Sequence, residues 1–469
     1  MNLERLVAGT LLGLATFWVG ASFWLRGDGV PDWWLPVALG AGLGGAQALP
    51  DRAWPAHART PAPPWARWSL LALVAIAFAA VAYGALATPS RHWDGAASFD
   101  AKVFWLTEEA TLQQPFFAAE GVFHHSPDYP LLPALLVAMA DRLAPGFGRG
   151  MLPLLYLVLC ALVAAALHRR GVHPLLRLGA TAAVALTPAL LTSGGGAVDS
   201  GYAELPLLLA TTTIAAGLLQ RSALWFGLGI GLAVVTKPEG LFYGLGAAIV
   251  AFANGDRALL RSAWVAFALA AITWLPVRAE LLHRDLDWLP LGVLAAFAAA
   301  AQLALRWTDG LARPVRTRWT IGLVVPMLAL LALPLLADLV AADSALGVYL
   351  RQASNVWSGL ANLPAYLGAL VDHGVGRLRL GMALVVPPVA WLVARLRQKP
   401  LDDAPLAAFV LLGIATTPLP FVLSPEDDLQ HHLRSSLPRL LLHWVGPAWL
   451  LSAAWIERLR EADAPALRG

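Results

Sequence analysis

The sequence is poor in charge. Asp, Glu, Lys and Arg make up 13% of its 469 residues, against 58% apolar types. A soluble domain carries roughly a quarter charged residues, so a set of water-facing domains of this length is excluded. There is one cysteine, Cys160, inside an apolar run. It rules out an intrachain disulfide and leaves the redox compartment unread. The formal net charge is only +3, which gives no footprint for nucleic acid, and no nucleic-acid partner is expected. No short-period repeat, low-complexity tract or polar stretch of domain size is present.

Long apolar runs are what the chain has in quantity. A spanning helix needs about 20 mostly apolar residues. Candidate spans lie at 4–25, 33–50, 68–88, 151–168, 174–192, 203–220, 222–236, 240–253, 262–279, 288–305, 319–340, 379–396, 405–422 and 438–456. The expected fold is all-α: one polytopic membrane domain over 1–469 with about 12–14 spans, since 222–236 and 240–253 are short for full crossings. The first run is too long for the core of a signal peptide and reads as an uncleaved helix.

Positive charge orients this bundle. The apolar stretch 129–143 is only about 15 residues long, a length typical of re-entrant segments. If it does not cross, 20 of the 33 Lys and Arg residues collect on one side. If it crosses, the clusters at 169–177, 306–318 and 395–399 move outside, against the positive-inside rule. Both termini are therefore expected in the cytoplasm of a bacterial inner or plasma membrane. The region 89–150 becomes an outer loop with interfacial and re-entrant helices, and 341–378 a second large outer loop.

The outer loops hold the chemistry. Residues 99–113 have the spacing of an amphipathic interfacial helix, and the same loop carries Asp94, Lys102, His124, His125 and Asp128. A second interfacial helix is expected around 355–370. Glu204 stands at the mouth of span 203–220, where it is either functional or a first-turn acid of a helix capped by Asp199 or Ser200. Lys237 and Glu239 sit in the loop TKPEG; the Lys either snorkels or contacts an anion. Arg434 and Arg439 break the positive-inside pattern. Their partner is either a phosphate, which suits the guanidinium fork, or Asp427 and Asp428. His124 and His125 with Asp128 could ligate a divalent metal, but no spacing demands one.

Outer carboxylates, an outer Lys, outer Arg residues and an apolar body suit a lipid-linked anionic substrate. The stretch WDGAASFDAKVFWLTEEATL, followed by HHSPDYPLLPALLVA, resembles the first outer loop of the membrane-embedded GT-C glycosyltransferases. It is most similar to bacterial relatives of protein O-mannosyltransferases and aminoarabinose transferases. GYAELP, TKPEGL and HLRSSLPRLLLHWVGP resemble later elements of the same superfamily, in the same order. The resemblance implies inverting transfer of a sugar from a polyprenyl-phosphate donor to a glycan, lipid or protein acceptor. It implies Asp94 as catalytic base. Lys237, Arg434, Arg439 and Lys102 would bind the donor phosphate, and Asp128, Tyr129, Glu204 and His125 would orient sugar or acceptor. Two extra spans before the first loop, where many relatives have one, are a departure, and metal dependence stays open.

Two other classes compete. A transporter or flippase would show charges at span centres and repeated halves, and few such charges and no clear repeat are visible. A glycan ligase or polymerase would place its large outer loop late, where 341–378 is the one candidate.

Overall fold

A computed structural model describes residues 3–49, 63–87, 95–118, 129–191, 197–283, 285–286, 289–324, 360–401, 403–418, 421 and 429–463. Among these residues there are helices and no strands. The chain opens with α1 (Leu3–Trp24), α2 (Trp34–Ala48) and α3 (Pro64–Ala87), then α4 (Ala101–Glu108), α5 (Leu132–Leu143) and α6 (Met151–Arg170). The middle holds α7 (Pro174–Ala185), α8 (Glu204–Gln220), α9 (Ala223–Val234), α10 (Glu239–Ala253), α11 (Arg257–Leu281) and α12 (Leu289–Thr308). The last part holds α13 (Leu363–Val371), α14 (Val386–Leu396), α15 (Ala404–Thr416), α16 (Leu429–Leu442) and α17 (Val445–Asp463).

Local chemistry sets these bounds. The α6 helix stops at Gly171, which takes the left-handed conformation (φ 93°) that glycine adopts without steric cost. The α11 helix starts behind Asp256, whose carboxylate accepts from the Leu259 amide at 3.1 Å. Proline sits in the first turn of α5, α7, α14 and α15, where its missing N–H costs nothing.

The helices pack as a bundle around α8, in which every residue except Gln220 is buried. Such an all-round apolar helix belongs at the centre of its fold. Its three consecutive threonines turn their hydroxyls back to main-chain carbonyls: Thr211 and Thr212 donate to Leu208, and Thr213 to Leu209. No hydroxyl there is buried without a partner. The α1–α2 hairpin is joined through glycines. A Cβ on Gly42 would collide with the backbone of Gly9 and Gly13, so only glycine lets these helices approach so closely. In contrast α3 is mostly uncovered, with Trp68 71%, Ile76 69% and Tyr83 73% exposed.

Among the described residues four helical segments are long and apolar enough to cross a membrane: Leu3–Trp24, Pro64–Ala87, Gly148–Arg170 and Arg257–Leu281. Others among the described residues are apolar but only 10–17 residues long. Several expected spans are shorter or broken. The run 174–192 is interrupted at Leu186 and Thr187, just before Pro188. The run 379–396 becomes helical only at Val386, and 438–456 is split at His443 and Trp444. Apolar windows register composition and pass over the turns inside it. Residues 325–340 of the expected span 319–340 lie outside the described residues.

The expected interfacial helix 99–113 ends early. A π-helical turn, Gly95–Asp100, leads into α4, which stops at Glu108. Beyond it the chain is pinned to the α1–α2 corner: Val30 N donates to Ala110 O at 2.9 Å and Leu112 N to Leu25 O at 2.7 Å. The Thr111 hydroxyl donates to Gly27 O at 2.8 Å. These bonds to another segment replace the next helical turn. Of the second expected interfacial helix, 360–362 form a 3₁₀ turn and 363–371 form α13.

The α5 helix, only twelve residues long, spans about 18 Å. Near its end Arg142 pairs with Asp32 at 2.6 Å and donates to the carbonyls of Thr107 and Glu108. The C-terminal end of α5 therefore lies at the end of the bundle where α1 finishes and α6 begins.

Candidate functional site

That end of the bundle holds a buried charged cluster. Lys237, between α9 and α10, is 4% exposed. Its Nζ lies 3.0 Å from Glu204 Oε1 and 3.1 Å from Glu239 Oε1. Glu204, fully buried, opens α8. Arg439 on α16 brings its Nε to 3.7 Å from Glu204 Oε1 and stacks over Tyr202, 4.7 Å from the ring centre. A cation over an aromatic face is held electrostatically.

Aromatic side chains join α4 to this cluster. Phe99 packs between Tyr129 and Tyr202, with ring centres 6.1 and 6.4 Å away. Lys102, 1% exposed, places its Nζ 6.0 Å from the Tyr129 ring centre. Burial pushes the Tyr129 phenol up, and the Glu239 carboxylate adds to it. Burial alone would lower Lys237. The adjoining Glu204 and Glu239 carboxylates outweigh it and hold the ammonium above its ordinary value.

A second layer lies behind. His443, fully buried just past α16, has its Nδ1 3.0 Å from the Tyr243 hydroxyl. Its carbonyl accepts from Thr211 on α8 at 2.6 Å. Glu204 Oε2, Glu239 Oε2 and His443 Nε2 are buried and make no hydrogen bond.

Helical geometry explains the grouping. Glu239 and Tyr243 are four residues apart on α10 and share its face, as do Arg439 and His443 at the end of α16. Glu204 and Thr211 repeat after two turns of α8. Arg434 is five residues before Arg439, which turns it well away from that face; it is exposed and stands outside the cluster. The structure thus brings Lys102, Tyr129, Glu204, Lys237 and Arg439 together. Asp94, His125 and Asp128 lie outside the described residues, as do His124, Asp427 and Asp428. Tyr202, Tyr243 and His443 did not stand out in the sequence; the i, i+4 pairing of Tyr243 with Glu239 and of His443 with Arg439 is the signal that marks two of them.

The capping alternative for Glu204 finds no support at Ser200. The residue preceding α8 is Ala203, without a capping side chain, and the Ser200 hydroxyl donates to Ala197 O at 2.6 Å. Among the described residues no group of three or more His, Cys, Asp or Glu side chains could hold a metal ion.

Close to the cluster, an apolar cleft of about 420 Å³ opens between α1, α9 and α11. Trp18, Gly227, Gly231, Leu269 and Thr273 line it, and it reaches Val235, two residues before Lys237. Compared with known protein families, curated proteins and solved structures, the chain matches none.

Proposed function

We propose that this chain is a GT-C-type glycosyltransferase that moves a sugar from a polyprenyl-phosphate donor to an acceptor on the non-cytoplasmic face of a membrane. The observation that carries the reading is the buried cluster of Lys102, Lys237, Arg439, Glu204 and Glu239 in an otherwise apolar bundle. Charges are costly at such depth and are kept where they bind or react. The apolar cleft ending at Val235 offers room for a lipid tail beside them. In this reading both termini lie in the cytoplasm and the cluster at the opposite face, as the distribution of Lys and Arg favours.

In this reading Arg439 and Lys102 meet the phosphate. Lys237, already within 3.1 Å of two carboxylates, acts chiefly by fixing Glu204 and Glu239. Tyr129 and Glu204 orient the sugar. Asp94 takes the proton of the acceptor hydroxyl. That oxygen attacks the anomeric carbon, the bond from this carbon to the phosphate oxygen breaks, and its electron pair leaves with the polyprenyl phosphate, stabilised by the cations. The configuration at the anomeric carbon inverts.

A second reading has one observation in its favour. The helix break at His443 and Trp444 adjoins the cluster, and discontinuous helices frame the binding sites of transporters. Carriage of an amphiphilic anion without bond cleavage would use the same charges.

The test is Asp94→Asn in membranes supplied with labelled polyprenyl-phosphate hexose and an envelope extract as acceptor. Transfer is expected to vanish while the protein is made at normal levels. Full transfer by the variant overturns the assignment, and uptake of the intact labelled lipid without cleavage by the unaltered protein favours the carrier.

A further inference from the structure

The cluster has met its charges but not its hydrogen bonds. Glu204 and Glu239 each give one oxygen to the Lys237 ammonium, while the other oxygen of each is buried and unpartnered. His443 is held from two sides, by Tyr243 on Nδ1 and by Thr211 on its carbonyl, and its Nε2 is also buried and unpartnered. The imidazole lies within electrostatic range of Glu204, Lys237 and Arg439. Buried polar atoms in folded proteins are nearly always satisfied, so these three, two on carboxylates that hold Lys237 and one on the imidazole in the layer behind, need an explanation.

A bound group with several hydroxyls supplies it. Because Lys237 already faces both carboxylates, their second oxygens call for a hydrogen-bond donor and not for another cation. Either tautomer of His443 suits a hydroxyl. If Nδ1 accepts from Tyr243, Nε2–H donates; if Nδ1–H donates to Tyr243, Nε2 accepts. A hydroxyl can answer both.

We propose that Glu204 Oε2, Glu239 Oε2 and His443 Nε2 form a hydroxyl-recognition subsite, which selects a donor bearing a neutral sugar with free hydroxyls. This rests on the donor reading above. His443 is a specificity residue in it, and Tyr243 positions the imidazole.

The test measures binding of two probes to the purified chain in detergent: C55 polyprenyl phosphate, and the same lipid phosphate carrying an unsubstituted neutral hexose. The unaltered protein is expected to prefer the hexose lipid by about tenfold or more, the scale of one or two hydrogen bonds. His443→Leu should reduce the preference to roughly threefold or less while affinity for the bare lipid phosphate stays the same. Tyr243→Phe, a smaller change at the same contact, should lower the preference partway. Equal binding of the two probes by the unaltered protein overturns the proposal, as does an undiminished preference in His443→Leu. Binding of neither probe overturns the donor reading itself, and the subsite with it.

Discussion

At one end of the bundle Lys237 holds Glu204 and Glu239, with side chains 5%, 1% and 23% exposed. At the other end Arg257 pairs with Asp309 at 47% and 45% exposure, and Arg458 with Glu461 at 37% and 52%. The Arg170–Asp403 pair at that end is intermediate, a 2.9 Å contact with Asp403 buried and Arg170 partly open. The Arg257–Asp309 pair ties two helix ends together and Arg458–Glu461 lies within α17, both in contact with solvent, where each is worth little. The buried set, with Arg439 beside Glu204, joins three segments of the chain, leaves acceptors unfilled, and has been taken out of water at a cost that ion pairing alone seldom recovers. Packing does not require such an arrangement; the proposed donor site would.

Removing Lys237 should have the largest effect. Lys237→Met strands two buried carboxylates, and a loss of about 3–5 kcal/mol is expected, read as a fall in thermal unfolding temperature in detergent. Pairing it with Glu204→Leu removes the more deeply buried of the two stranded charges and leaves only Glu239, whose side chain is 23% exposed. The double variant should regain most of the lost stability, because apolar replacement of a buried pair is often neutral, yet it should stay inactive. Regained stability with full activity would make the cluster a structural tie like those at the far end.

Breaking the pair at the arginine-rich end with Asp403→Asn should cost about 1 kcal/mol, with activity unchanged in the same transfer assay. A pH effect comes next. Burial, and then Arg377, lower the His373 imidazole below its ordinary 6.5. Its contribution is complete above 6.5 and is lost as pH falls, because the unfolded chain takes up a proton that the folded one resists. Unfolding temperature should fall below pH 6.5, and His373→Gln should flatten that slope. The smallest effect is expected for Arg458→Ala, within about 0.5 kcal/mol, a difference that added salt should erase.

Much of the cluster was legible in the sequence. Glu204, Lys237 and Arg439 draw attention as ionisable groups at the mouths of apolar runs, and the structure brings them together. Arg434, singled out with Arg439, is exposed and turned away from the cluster, because a count of charges in a segment ignores helical phase. Tyr243 and His443 are hidden because a lone aromatic or imidazole inside an apolar run looks like core; only their pairing across two helices gives them a role. The helical class of the fold follows from apolar run length. The number of spans does not, because breaks at Leu186–Thr187 and His443–Trp444 and the late start of α14 at Val386 are set by turns and prolines that apolar windows average away.

The central claim is that the buried cluster serves a sugar-transfer reaction. The most direct measurement compares the envelope glycans and lipids of three cell populations by mass spectrometry: cells with the unaltered protein, cells without it, and cells with the folded Lys237→Met/Glu204→Leu variant. The account predicts that one species loses the mass of a single sugar residue both without the protein and with the variant. That species at its full level in cells carrying the variant would contradict it.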